Sequence, residues 1–211
     1  MPSKKEKTRA KKIFDILLKE YPDPKPALNY SNPFELLVAT ILSAQTTDER
    51  VNIVTEKLFA KFKTPQDFAK VNPEDLYDYI YSTGFYKQKA KSLVNCCSEL
   101  IEKFNGEIPQ DLDLLTKLPG VGRKTASVVL GNAFGIPAIA VDTHVKRIAY
   151  LLYLTESKNP DKIEEDLKSL LPEDYWVKSS LLLQKHGRTV CFARKPECEK
   201  CKIANFCRKF E

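Results

Sequence analysis

No stretch of this chain is both long enough and apolar enough to read as a membrane span. The longest uncharged run, from Thr125 to Val141, contains Gly131, Asn132, Gly135 and Pro137, which so short a membrane helix would not readily hold. The amino-terminal segment MPSKKEKTRAKK is basic but has no apolar stretch behind it, which argues against a secretory signal and for a cytoplasmic location. Strict apolar–polar alternation is also missing: the nearest candidate, Ile136 to Val141, is short and interrupted by Pro137, so no strand is expected. There is no internal repeat and no low-complexity segment. Glycine and proline number 7 and 13 in 211 residues, with 43% hydrophobic and 29% charged side chains, a globular composition rather than a disordered or fibrous one. That length can bury one large core or two modest ones.

What is present is helical periodicity. Asn32-Pro33-Phe34-Glu35 reads as a helix start, with Asn as cap, Pro at the first position and Glu at the third. The run LLVATILSA behind it is apolar on all sides, which predicts a helix buried at the centre of a core. Thr47-Asp48-Glu49 opens a second helix with Val51, Val54, Leu58, Phe59 and Phe62 on one stripe. Asn72-Pro73-Glu74 repeats the capping pattern, Gly84 reads as a stop, and a helix is expected from Gln88 to Phe104, ended by Asn105-Gly106. Further helices are predicted over about 111–117, 122–134, 143–154, 160–170 and 173–187, making the fold all-α.

The net charge of +6 is concentrated at the ends. Residues 1–12 hold six basic side chains and one acidic, and residues 191–211 hold six basic and three acidic. If the two ends meet, they make a polyanion-binding face; solvated tails are the plainer alternative. Four of the six cysteines, Cys191, Cys198, Cys201 and Cys207, follow the spacing C-x6-C-x2-C-x5-C. In a chain read as cytoplasmic this predicts a metal rather than disulfides. Zinc and a [4Fe-4S] cluster both accept four thiolates; spacing does not separate them, and on ligand chemistry alone zinc is the commoner structural ion. Arg194 and Lys195 lie in the loop between the first two cysteines, where they could meet a phosphate backbone. Cys96 and Cys97 fall inside a helical pattern and read as small core residues.

The segment LPGVGRKTA, 118–126, turns between a short apolar helix with Leu112, Leu114, Leu115 and Leu118 and a second helix with Ala126, Val129, Leu130 and Ala133 on one face. Gly120 and Gly122 permit a tight turn and close approach of another backbone, with Arg123 at the next helix start. Such a helix start suits a phosphate. A P-loop needs glycine directly before its lysine, and here Arg123 intervenes. Lys124 would lie in the first helical turn, where it could either contact phosphate or serve as an amine nucleophile. Asp142, in VDTHV, reads as a helix cap that could also steady a positively charged sugar.

LSAQTTD at 42–48, LPGVGRKTASVVL at 118–130, IAVDTH at 139–144, HGR at 186–188 and the four-cysteine spacing together resemble the endonuclease III family, helix-hairpin-helix DNA glycosylases with associated lyase activity. The resemblance covers nearly the whole chain. It implies two all-α lobes: residues 26–136 as a six-helix lobe with the helix-hairpin-helix at about 111–134, and 1–25 with 137–211 as an iron–sulfur cluster lobe. It replaces zinc with a [4Fe-4S] cluster on Cys191, Cys198, Cys201 and Cys207. Lys124 matches the family's nucleophile and Asp142 its catalytic aspartate. Gln45 matches the residue that fills the gap left by an extruded base, and Phe85, in STGFYK, matches a wedge position where a bacterial relative would carry leucine. The implied activity is excision of oxidised pyrimidines from double-stranded DNA and cleavage at abasic sites, by a monomer working at the nucleoid and not at a membrane. Two rivals are weighed against it, a monofunctional mismatch glycosylase and a non-catalytic helix-hairpin-helix DNA-binding module. The second would need no set of Lys124, Asp142 and Gln45.

Overall fold

The computed structural model describes residues 2–210, and among them there is no strand; residues 135–142 run as irregular chain. The chain divides into two compact units, one comprising the residues up to Lys25 and from Pro137 onward, the other Pro26–Ile136.

In the Pro26–Ile136 unit the central element is α2 (Pro33–Leu42), whose residues from Leu36 to Leu42 are all buried. Asn32 caps it, its side chain accepting the Glu35 N–H at 2.9 Å, and the one hydroxyl in the run, on Thr40, returns to the Leu36 carbonyl at 2.7 Å. Packed on it are α3 (Asp48–Lys61), α6 (Tyr86–Phe104) and α8 (Arg123–Phe134). The apolar stripe of α3 is buried at Val51, Val54 and Leu58. Between α3 and α6 lies α4 (Pro65–Ala69), too short for periodicity to announce, capped reciprocally by Thr64 and Asp67. Its Phe68 is fully buried, with Phe34 and Phe62 ring centroids at 5.6 and 5.3 Å. The start at Asn72 yields a 3-10 turn, Pro73–Leu76, before α5 (Tyr77–Ile80). Asn105 and Gly106 stop α6 with φ of 54° and 83°, α7 (Leu112–Leu115) is capped by Asp111, and Gly135 at φ 69° stops α8. Cys96 and Cys97 are buried in α6 as core residues.

The other unit joins α1 (Lys4–Glu20) to α9 (Thr143–Leu151), α10 (Pro160–Leu170) and α11 (Trp176–Thr189). Ile13, Phe14 and Leu17 of α1 share a core with Val145, Ile148, Ile163, Leu167, Leu182 and Leu183. Truncating one such leucine to alanine costs about 2–5 kcal/mol. Gly187 sets the close approach of α11 to α9, since a Cβ there would lie 2.5 Å from His144 Nδ1. The helix expected over 143–154 stops at Leu151, because Tyr153 takes a left-handed φ of 53° and the Leu154 N–H turns back to the Ala149 carbonyl at 2.9 Å. The helix expected from 173 begins as a 3-10 turn, Glu173–Tyr175, ahead of α11. Two cations of the basic ends serve this packing. Arg9 donates to the carbonyls of Leu152 and Phe206 at 2.8 and 2.9 Å, and Arg208 donates to the Tyr150 carbonyl at 2.6 Å and pairs with Glu156.

Candidate functional site

The turn from α7 to α8 is anchored by its apolar residues and exposes its polar ones. Leu115, Leu118 and Val121 are buried, as are Ala126, Val129 and Leu130, whereas Gly122, Arg123 and Lys124 are exposed. Gly120 is required by the chain itself: its φ is 78°, and a Cβ would fall 2.8 Å from the Ser92 Cβ. Gly122 is not; its φ is −89° and a Cβ there would meet nothing within 4 Å. What its missing side chain does is leave α8 without a side-chain cap. An uncapped helix start with cationic side chains in its first turn has the chemistry to accept an anion such as a phosphate.

Gln45 and Phe85 sit in two turns of the same unit, and both have left-handed backbones, at φ 55° and 48°. Neither is a core residue: Gln45 is exposed and Phe85 retains 67% of its surface. Nor does Gln45 cap the next helix, for Thr47 does so, accepting the Arg50 N–H at 3.3 Å. Periodicity gave no sign of Lys89, which lies beneath both turns. Its side chain is buried, and Nζ donates to the Leu42 carbonyl at 2.8 Å, the Thr46 hydroxyl at 2.9 Å and the Thr83 carbonyl at 2.7 Å. Thr46 in turn donates to the Thr83 carbonyl.

In the other unit Asp142 is half-buried at the start of α9, where Oδ1 accepts the Val145 N–H at 2.8 Å. Arg194 and Lys195 are exposed on the loop after α11, Lys195 with φ 53°. Cys191, Cys198, Cys201 and Cys207 line one cavity of about 210 Å³, with Arg147, Leu151, Phe192 and Pro196 among its other walls. Among the described residues no three His, Cys, Asp or Glu side chains form a metal-ion site. Four cysteines set around one cavity fit either a zinc ion or a polynuclear cluster, which spreads its thiolates over several irons. Burial pushes the thiols of Cys191 and Cys201 up, an effect that the Arg147 guanidinium partly offsets at Cys191, so both need a cationic centre to be held as thiolates. Arg147 donates to the Cys191 carbonyl at 2.6 Å and carries a buried Nε–H with no partner, a donor that anionic sulfur would satisfy. His186 Nε2 stands 3.5 Å from the Cys201 sulfur and Nδ1 3.2 Å from the Tyr21 hydroxyl.

The chain is similar to known proteins over nearly its whole length. Residues 38–173 match the family described as HhH-GPD superfamily base excision DNA repair protein, and residues 191–207 match the iron-sulfur binding domain of endonuclease III. The chain is 48% identical over 208 residues to endonuclease III of Synechocystis sp., covering 98% of this chain and 94% of that one. It superposes on an endonuclease III trapped as a covalent intermediate with DNA with a TM-score of 0.93 at 42% identity, over 99% of this chain and 97% of the other. A thermostable thymine-DNA glycosylase matches with a TM-score of 0.86 at 25% identity, over 96% and 97% of the two chains.

Proposed function

This chain belongs to the endonuclease III family, and from that premise we propose that it excises oxidised pyrimidines from duplex DNA through a Schiff base on Lys124. Its role is that of a DNA glycosylase with AP lyase activity in base excision repair. The observation that carries the lysine mechanism is the exposure of Lys124 in the first turn of α8, in a chain so similar to an endonuclease III caught in a covalent intermediate with DNA.

Phosphates are held by the turn at Gly120 and Gly122, by Arg123, and by the loop carrying Arg194 and Lys195. The damaged nucleotide leaves the stack, a step that costs a few kcal/mol and least for a base that stacks poorly. Gln45 fills the space it vacates, and Phe85 wedges into the opposite strand. Lys124 Nζ attacks C1′ of the sugar, the bond from C1′ to the base nitrogen breaks, and the base departs with the electron pair and takes up a proton. The Asp142 carboxylate steadies positive charge on the sugar while this happens. The bound nitrogen then gives up a proton, its lone pair forms the C1′=N bond as the C1′–O4′ bond breaks, and O4′ takes up a proton. The ring-opened iminium so formed makes the C2′ proton acidic. Loss of that proton and departure of the 3′ phosphate oxygen with the C3′–O electron pair cut the strand and leave an unsaturated sugar on the lysine.

Cys191, Cys198, Cys201 and Cys207 hold a [4Fe-4S] cluster. When bound, the cluster supplies a rigid cross-link for the chain after α11, which presents the loop of Arg194 and Lys195. The enzyme acts as a monomer on DNA containing damaged bases or abasic sites, in the cytoplasm at the nucleoid. No helix of the described chain is long and apolar enough to cross a membrane.

The test is release of an oxidised pyrimidine and nicking of a lesion duplex by wild type and Lys124→Gln. Nicking is expected to vanish in the variant, with its circular dichroism unchanged. Undiminished nicking by folded Lys124→Gln would remove the lysine from the mechanism.

A further inference from the structure

We propose that Lys89 is a positioning residue for base extrusion: its buried ammonium bonds the turn that bears Gln45 and the turn that bears Phe85, so that the two side chains enter the duplex as one rigid device. The inference rests on the assignment of Gln45 and Phe85 as the groups that enter DNA, and it concerns a residue that touches neither base nor sugar.

Three observations lead to it. Gln45 and Phe85 are non-glycine residues in left-handed backbone, at φ 55° and 48°. For a residue with a Cβ that conformation is unfavourable, and it persists where the surroundings over-determine it. Lys89 supplies that determination. Its Nζ has three N–H donors, and all three are engaged: with Leu42 and Thr46 on either side of Ala44 and Gln45, and with Thr83 two residues before Phe85. The Thr46 hydroxyl closes the link by donating to the same Thr83 carbonyl.

The second observation is the cost of the arrangement. Lys89 is 6% exposed, and its partners are two carbonyls and a hydroxyl rather than a carboxylate. A methionine or leucine would fill the volume of a core position without burying a charge. Burial draws the ammonium down to about 8, so it still holds its charge at neutral pH, where all three donors are needed. The third observation is where the charge acts. It bonds the last carbonyl of α2 and the two segments next to the exposed side chains, one of them an aromatic ring left 67% exposed. A device that must replace a flipped nucleotide gains from being held in advance, because side chains ordered before binding lose less freedom on entering the stack.

The test has two measurements, the first independent of catalysis. In amide hydrogen exchange on the free protein, Lys89→Met is expected to speed exchange in segments 42–47 and 82–87 together, by about tenfold, with α10 unchanged. Unchanged exchange in either segment would show that Lys89 does not join the turns. The second is single-turnover release of an oxidised pyrimidine from duplex DNA by wild type, Lys89→Met, the Gln45→Ala/Phe85→Ala variant and the triple variant. Lys89→Met alone is expected to lose about 100-fold. Added to the variant already lacking both side chains, it is expected to cost less than about threefold. Equal losses in the two backgrounds would overturn the proposal, since Lys89 would then not act through Gln45 and Phe85. Should Lys89→Met fail to fold, Thr46→Val removes one acceptor and carries both measurements, with an expected loss of about tenfold and the same dependence on background. A wild-type protein that releases no base at all would contradict the glycosylase reading, while the exchange result still decides whether Lys89 joins the turns.

Discussion

Asp142 Oδ1 accepts the Val145 N–H at 2.8 Å, so the carboxylate assigned to the sugar is also the N-cap of α9. The two duties can be separated by substitution. Asparagine caps about as well as aspartate, whereas alanine does not. Asp142→Asn is expected to keep the wild-type melting temperature and slow base release. Asp142→Ala is expected to lose in addition about 1 kcal/mol of stability. Chemical denaturation beside single-turnover kinetics checks both, and base release at the wild-type rate by Asp142→Asn would take the carboxylate out of the reaction.

The two glycines of the hairpin should differ. Gly120 has φ 78° and a Cβ there would lie 2.8 Å from the Ser92 Cβ, whereas Gly122 has open space. Gly120→Ala is expected to destabilise the protein by roughly 1–3 kcal/mol. Gly122→Ala is expected to cost less, about 0.5–1 kcal/mol, because alanine is a poorer helix N-cap than glycine, and to weaken binding to duplex DNA, because the new methyl stands where a phosphate would approach. Urea denaturation and a DNA-binding titration at fixed salt separate the two effects.

The buried ammonium of Lys89 gives a pH signature. Burial lowers it from 10.5 to about 8, so between those values the unfolded chain binds more protons than the folded one, and stability rises with pH. The penalty is fully present below about pH 8 and is relieved towards pH 10.5. Lys89→Met has no such group. The stability of wild type minus that of Lys89→Met is therefore expected to increase from pH 8 to pH 10, measured by urea denaturation in matched buffers. A flat difference would mean that Lys89 is not charged in a buried site.

The metal content tests the cavity at the four cysteines. Iron and acid-labile sulfide analysis is expected to find about four of each per chain, the content of one [4Fe-4S] cluster, with visible absorbance that Cys201→Ser abolishes. One zinc per chain and no iron would return the site to the choice that ligand chemistry alone favours.

Much of this molecule could be read from local sequence, where a residue type acts within its own turn. Asn32 and Thr47 announce helices and do cap them, and Gly135 ends α8 through a left-handed φ that glycine adopts freely. The cysteine spacing is equally local. The same backbone conformation at Tyr153 and Phe85 carries no glycine signal, which is why the helix expected to reach 154 stops at Leu151. Lys89 was the least legible. In a helical pattern a lysine reads as solvent-facing, and its burial depends on acceptors at Leu42, Thr46 and Thr83, of which the first two lie more than forty residues away in the chain. Of the basic ends, the excess of cations was visible but the engagement of Arg9 and Arg208 in holding their own unit together was not.

The central claim is that the Lys124 amine bonds covalently to the sugar, and reduction with borohydride tests it most directly. The protein is incubated with an end-labelled duplex carrying one oxidised pyrimidine, reduced, and resolved on a denaturing gel beside Lys124→Gln. A labelled band at the mass of protein plus DNA, present for wild type and absent for the variant, is the predicted result. Free base released without any such band would mean that water attacks C1′, as in a monofunctional glycosylase, and would contradict the account.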